Sequence, residues 1–400
     1  MFVNRFFFII LATLCLGPFA LAQPMNVRLL QACGKRGSLA PRMEKLRQLV
    51  REGAEINAEY HYTGSQSKWA LRDLFGSEIS ELIKHGPITC LVLAIKMGEV
   101  ELVEFLLAEL RALPLKKTSS INEPMLIAGN ETAYDAVTDL DSPDSRARII
   151  NLLVEHTLIK NIDSPILARN QSLLQLASSA GAAKAVSHLL QAGANPNAFF
   201  DDTTAAPGDH DLRTRPALTQ AAWNNHAEVV ELLLRAGANA NQIDARGLTP
   251  LSAAMHYSLG AHHSVSAQTQ TLRALVQYGA RADAVTIQEA AEALNLEALE
   301  FLLNRGIHPT GFAISSLLAS SADGGFRGSN KQITKQQQDA LKIKMLNRLL
   351  DAGADPNEGR WYKLDNLQLA EEYFPDALPL LRSGRRSRAI LNYCNDALLN

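Results

Sequence analysis

Val229-Val230-Glu231-Leu232-Leu233-Leu234-Arg235-Ala236-Gly237-Ala238-Asn239-Ala240-Asn241 is the stretch on which the fold of this chain turns. Its apolar residues fall at i, i+3 and i+4, which makes one buried face of a helix. Gly237 ends that helix, because a left-handed C-terminal residue carries no steric penalty when it is glycine. The asparagines then favour a turn, since their side chains bond back to the backbone. The same ending recurs at Gly53-Ala54-Glu55-Ile56-Asn57, Gly193-Ala194-Asn195-Pro196-Asn197, Gly279-Ala280-Arg281-Ala282-Asp283 and Gly353-Ala354-Asp355-Pro356-Asn357, with a weaker copy at Gly306-Ile307-His308-Pro309. Apolar pairs precede these endings, as at Val186 to Leu190, Leu299 to Leu303 and Leu346 to Leu350.

A second mark opens the other helix of each unit. Its best copy is Thr249-Pro250-Leu251-Ser252-Ala253-Ala254. Thr caps the helix, Pro fits its first turn, Leu enters the core and Ala allows close helix packing. Weaker copies begin at Thr89, Thr132, Ser172 and Pro216. Asn225-His226-Ala227-Glu228-Val229-Val230 joins the two helices of one unit. In order and recurrence these marks resemble the ankyrin repeat, whose period is about 33 residues.

The resemblance covers roughly residues 25 to 384. It implies an all-α solenoid of about eight helix-turn-helix units with β-turn or hairpin loops, spanning 23–384 and best formed over 170–283. Terminal units diverge because their outer faces meet water, and 385–400 reads as a capping segment. The endings are spaced unevenly, 44 residues from Gly193 to Gly237, 42 from Gly237 to Gly279 and 74 from Gly279 to Gly353. Loops are therefore inserted, with candidates at 58–86, 109–131, 198–214, 258–268 and 321–338. Such loops often line the binding face of a solenoid.

The start of the chain follows a different plan. Arg5 precedes an uncharged run from Phe6 to Leu16, Gly17-Pro18 breaks it, and Ala20-Leu21-Ala22 stands before Gln23. That is the layout of a cleaved secretory signal over residues 1–22. An uncleaved anchor is the other reading, although the run barely reaches spanning length and Gly-Pro interrupts it. The mature chain is then expected in the periplasm or secreted, with no membrane span. Three cysteines remain after cleavage, Cys33, Cys90 and Cys394. An odd number at wide spacing is not a disulfide framework, so they read as buried small hydrophobes.

Charge excludes one class of partner. Lys plus Arg is 39 and Asp plus Glu is 41, a formal net charge of -2, so no global field draws nucleic acid or anionic lipid. The cluster Arg382, Arg385, Arg386 and Arg388 reads as a solvated cap. The loop 198–214 carries Asp201, Asp202, Asp209, His210 and Asp211, a set of divalent-metal donors that matches no calcium loop and reads as a solvated acidic insertion. His262 and His263, near His256, lack a third well-spaced ligand for zinc. Tyr60, His61, Tyr62 and Trp69 lie in the loop 58–86, for recognition or for tucking that loop down.

In the repeat frame the two residues after the first-helix Ala pair face the concave groove. These are Lys96 and Met97, Ser179 and Ala180, Trp223 and Asn224, Met255 and His256, and Glu292 and Ala293. The candidate partner-binding residues are Lys96, Met97, Trp223, Asn224, Met255, His256 and Glu292. An exposed Trp there is a typical anchor, unless a neighbouring insertion covers it. The resemblance assigns His226 a structural place between helices. No phosphate loop, Gly-x-Ser-x-Gly elbow or zinc helix is present, and the repeats leave no room for a separate catalytic domain. The expected function is a non-enzymatic, cofactor-free scaffold for another protein, as an immunity or inhibitor protein; a secreted effector acting on host proteins is the alternative.

Overall fold

The computed structural model describes residues 25–34, 37–55, 89–112, 126–127, 131–138, 140–156, 162–163, 171–198, 215–245, 247–255, 264–320 and 335–384. They form two compact units, one drawn from the chain up to Asn161 and the other mainly from Asn170 onward. The expected signal peptide, the loop 58–86, residues 199–214 and the segment 385–400 lie outside the described residues.

The first unit contains helices α1 (Met25–Gly34), α2 (Leu39–Arg51), α3 (Cys90–Lys96), α4 (Val100–Ala112), α5 (Ala133–Thr138) and α6 (Pro143–His156). The first helices α1, α3 and α5 pack in one layer, and the second helices α2, α4 and α6 pack in another. Strand β1 (Leu126–Ile127) pairs antiparallel with β2 (Glu131–Thr132), immediately before α5. Thr89 caps α3 by accepting a hydrogen bond from the Val92 N–H at 3.3 Å.

The second unit repeats the pairing in α7 (Leu173–Ser179) with α8 (Ala183–Gln191), α9 (Ala217–Trp223) with α10 (Ala227–Arg235), and α11 (Pro250–Met255) with α12 (Val265–Gln277). It continues in α13 (Ala284–Glu292) with α14 (Leu296–Asn304) and α15 (Gly311–Ala319) with α16 (Lys335–Asp351). It closes on the hairpin β3 (Arg360–Trp361) and β4 (Leu364–Asp365) and helix α17 (Asn366–Tyr373). Its core is the apolar row read from the sequence: Val229, Val230, Leu233 and Leu234 of α10 are buried, as are Leu299 and Leu302 of α14 and Leu346 and Leu349 of α16.

The glycine of every ending has positive φ, from 79° at Gly306 to 105° at Gly53. The asparagine that closes an ending clamps the next repeat. The Asn197 amide donates to the Gly237 carbonyl at 3.0 Å, while its Oδ1 accepts from the Asn239 N–H at 2.8 Å. Asn241 does the same to Gly279 at 2.9 Å and Arg281 at 2.9 Å. Asp163 accepts from the Asn195 N–H at 3.0 Å, so Asp163 holds the place of the closing asparagine in a further ending, one that lacks the Gly-Ala signal.

Three expected insertions prove shorter. Ser264 accepts from the Ala267 N–H at 3.0 Å and starts α12 at Val265, so 265–268 are helical. Helix α4 runs on to Ala112, and 126–127 and 131 belong to a hairpin rather than a loop. Helix α16 claims 335–338.

Candidate functional site

The turn between paired helices fixes the register of the candidate face. Gly98, Gly181, Asn225 and Leu294 are the left-handed residues there, with φ of 67°, 72°, 53° and 51°. Lys96, Ser179, Trp223 and Glu292 each stand two positions earlier. Lys96 and Met97 are half-buried in the first unit; Trp223 and Asn224 are half-buried and Glu292 is exposed in the second.

Met255 does not belong to this set. Its side chain is 2 % exposed. Counted from the residue before each helix, Met255 follows Thr249 by the same step as the buried Ala222 follows Pro216, whereas Trp223 stands one residue further on. The frame is therefore shifted by one in this repeat, and Met255 fills the second Ala position of the core. His256 lies outside the described residues, as do His262 and His263.

Trp223 is held rather than free. The Arg215 guanidinium carbon lies 3.9 Å from the centroid of its ring, a cation–π contact. Arg215 is buried and its Nε lies 3.3 Å from Asp244 Oδ2, itself buried. The other Asp244 oxygen accepts from the Leu248 N–H at 2.9 Å and so closes the turn before α11. The Arg215 carbonyl accepts from Gln175 at 2.7 Å and Gln220 at 3.2 Å, and Gln171 donates to Gln220 at 2.9 Å. Residue 215 follows directly on the insertion 198–214, so the flank of that insertion covers part of the indole.

Asn224 is committed to the backbone. Its amide donates to the carbonyls of Ser179 at 2.9 Å and Gln220 at 3.2 Å, so it ties α9 to the preceding repeat. His226 also has a structural place: Nε2 is 3.1 Å from the Ser179 carbonyl. Its ring packs on Gly181, where a Cβ would stand 2.7 Å from it.

Glu289, three positions before Glu292 on α13, is a half-buried carboxylate that the sequence does not flag. Burial pushes its carboxyl up to about 7; Asp283 and Glu292 add to the rise and a hydrogen bond from Ser252 opposes it. Arg215 and Asp244 also escape sequence reading, since neither falls on a periodic position. The only signal was Asp244-Ala245-Arg246-Gly247, which reads as a turn.

Among the described residues no three His, Cys, Asp or Glu side chains converge as a metal site, and no helix is long and apolar enough to cross a membrane. Arg382 makes an exposed ion pair with Glu371 at 3.5 Å; the other arginines of that cluster lie outside the described residues. In the second unit the described turns carry a pinned aromatic ring at Trp223 and an exposed carboxylate at Glu292.

Residues 218–312, from α9 to the start of α15, match the family of ankyrin repeats in three copies. This is a chain that carries ankyrin repeats over residues 218–312, and its helix pairs fit an all-α repeat solenoid. It is similar to "Ankyrin repeat and SOCS box protein 3" of Homo sapiens, 36 % identical over 107 residues, 21 % of this chain and 21 % of that one. The Bos taurus protein of the same name is 35 % identical over 107 residues, 21 % of this chain and 20 % of its own length. The chain thus spans about a fifth of the length of these relatives. Ankyrin repeats bind other proteins, and the family is typically a non-enzymatic scaffold.

Proposed function

We propose that this chain is an exported, non-enzymatic scaffold that holds another protein against the turns bearing Trp223 and Glu292. The observation that carries this reading is the Arg215–Trp223 stack at 3.9 Å. A half-exposed indole already packed against a guanidinium loses less side-chain entropy on binding than a free one, and Trp is enriched among the residues that dominate interface energies. Asn224 contributes by setting the turn, not by contact. The leader over residues 1–22 supports export, and on that reading the chain works in the periplasm or outside the cell as an immunity or inhibitor protein.

The test is affinity capture from periplasmic extract with the tagged chain, read by mass spectrometry, beside Trp223→Ala. One stoichiometric partner is expected, bound at least about 2 kcal/mol more weakly by the variant, which is a loss of roughly thirtyfold. A thermal melt of the variant separates loss of binding from loss of fold. A partner held equally well by a folded Trp223→Ala variant rules out this face, and a partner found only among host proteins favours the secreted effector.

A further inference from the structure

Two thiols far apart in sequence meet in the core of the first unit. Cys33 lies in the last turn of α1 and Cys90 is the first residue of α3, 57 positions later. The two helices pack directly on each other. Both side chains are buried, at 0 % and 2 % exposure, and the thiols are within hydrogen-bonding reach of one another. Neither is in a disulfide.

Their surroundings hold them in place. Arg42 of α2 is buried, its guanidinium donates to the carbonyls of Ala32 and Cys33, and it pairs with Glu99 at 2.8 Å. That clamp ties the end of α1 both to α2 and to the turn after α3. A fixed pair of sulfurs is the arrangement from which a disulfide forms with little rearrangement of the backbone.

We propose that Cys33 and Cys90 are a disulfide-forming pair, closed as the chain folds in an oxidising compartment; the compartment, though not the pairing, rests on the export reading above. The reaction balances by thiol–disulfide exchange. The thiolate of one cysteine attacks an external disulfide, oxidised glutathione or that of an oxidoreductase, and expels one thiolate. The second cysteine then displaces the external sulfur from the mixed disulfide. Two S–H bonds are lost, one S–S bond forms, and the two electrons reduce the external disulfide to two thiols.

Burial dictates when this happens. It raises the Cys33 thiol well above its ordinary range, and the hydrogen bond with Cys90 adds to the rise; Arg42 opposes it and Glu99 supports it. A neutral, buried thiol is a poor nucleophile. The exchange therefore occurs before α1 closes on α3, and the finished bond is then shielded from reductants. The cross-link is a structural latch, not a switch.

The experiment uses the full chain expressed with its own leader. Thiols are blocked with iodoacetamide at lysis, and peptides are mapped without reduction. A second sample of the same protein is reduced, unfolded and refolded in mixed reduced and oxidised glutathione. A Cys33–Cys90 linked peptide is expected in both samples, with Cys394 blocked and the link abolished in Cys33→Ser. Refolded protein that has regained its helical circular dichroism but gives no linked peptide overturns the pairing, as does a link to Cys394. A link in the refolded sample alone upholds the pairing and overturns export.

Discussion

Gly181 shows how much one residue carries. Its φ of 72° puts it in the left-handed region, and the His226 ring fills the space where a Cβ would go. Asn225 and Leu294 adopt similar angles at the matching turns, so the angle alone does not demand glycine; the close ring does. Gly181→Ala should cost at least about 2 kcal/mol, from backbone strain and displacement of the imidazole. An unchanged thermal melt would refute that account. Glu289 makes a separate claim. Its folded carboxyl value of about 7 lies above the unfolded one, so the folded chain keeps a proton that the unfolded chain has released. Stability is then full below the ordinary carboxylate range and falls as pH rises to and through about 7, by at most about 3 kcal/mol. The melting temperature should drop between pH 5 and pH 8, and Glu289→Gln should flatten that drop; a parallel drop in the variant would assign it to another group.

Helix α10 carries the argument at the scale of elements. Leu233 is fully buried, and α10 packs on α8, α9 and α12. Leu233→Ala should therefore cost about 2–5 kcal/mol in chemical denaturation, because the neighbours on three sides cannot all collapse into the cavity. A loss below about 1 kcal/mol would contradict the packing described. The helix pairs were legible because their signals are local. Apolar spacing, a capping Thr or Ser and a terminal Gly lie within a few residues of the element they specify. What escaped reading depends on distance. Nothing in the sequence pairs Arg215 with Asp244, or Cys33 with Cys90, since each pair meets only when neighbouring helices stack. Met255 departs from the expected face because the run Ala253-Ala254-Met255 allows two frames, and its burial chooses between them. Insertion ends were overestimated where Ser264 caps a helix whose polar residues mimic a loop. The Asn197 and Asn241 clamps show the reverse case. The motif was visible, but its purpose, joining one repeat to the next, required the structure.

Across the whole chain, the surface proposed to bind a partner protein is the repeat face that carries the pinned Trp223. Fold alone does not give that function, since ankyrin repeats have no fixed ligand chemistry. Glu292 offers a cleaner probe than Trp223, because it is exposed and a change there should move stability by no more than about 0.5 kcal/mol. The most direct measurement is titration calorimetry of the captured partner against the wild-type chain, Trp223→Ala and Glu292→Lys, each first shown to be folded. The account predicts one site per chain, weakened roughly thirtyfold or more by Trp223→Ala and measurably by Glu292→Lys, with no turnover of the partner. Equal affinity for all three folded proteins would contradict it and place the binding surface elsewhere on the chain.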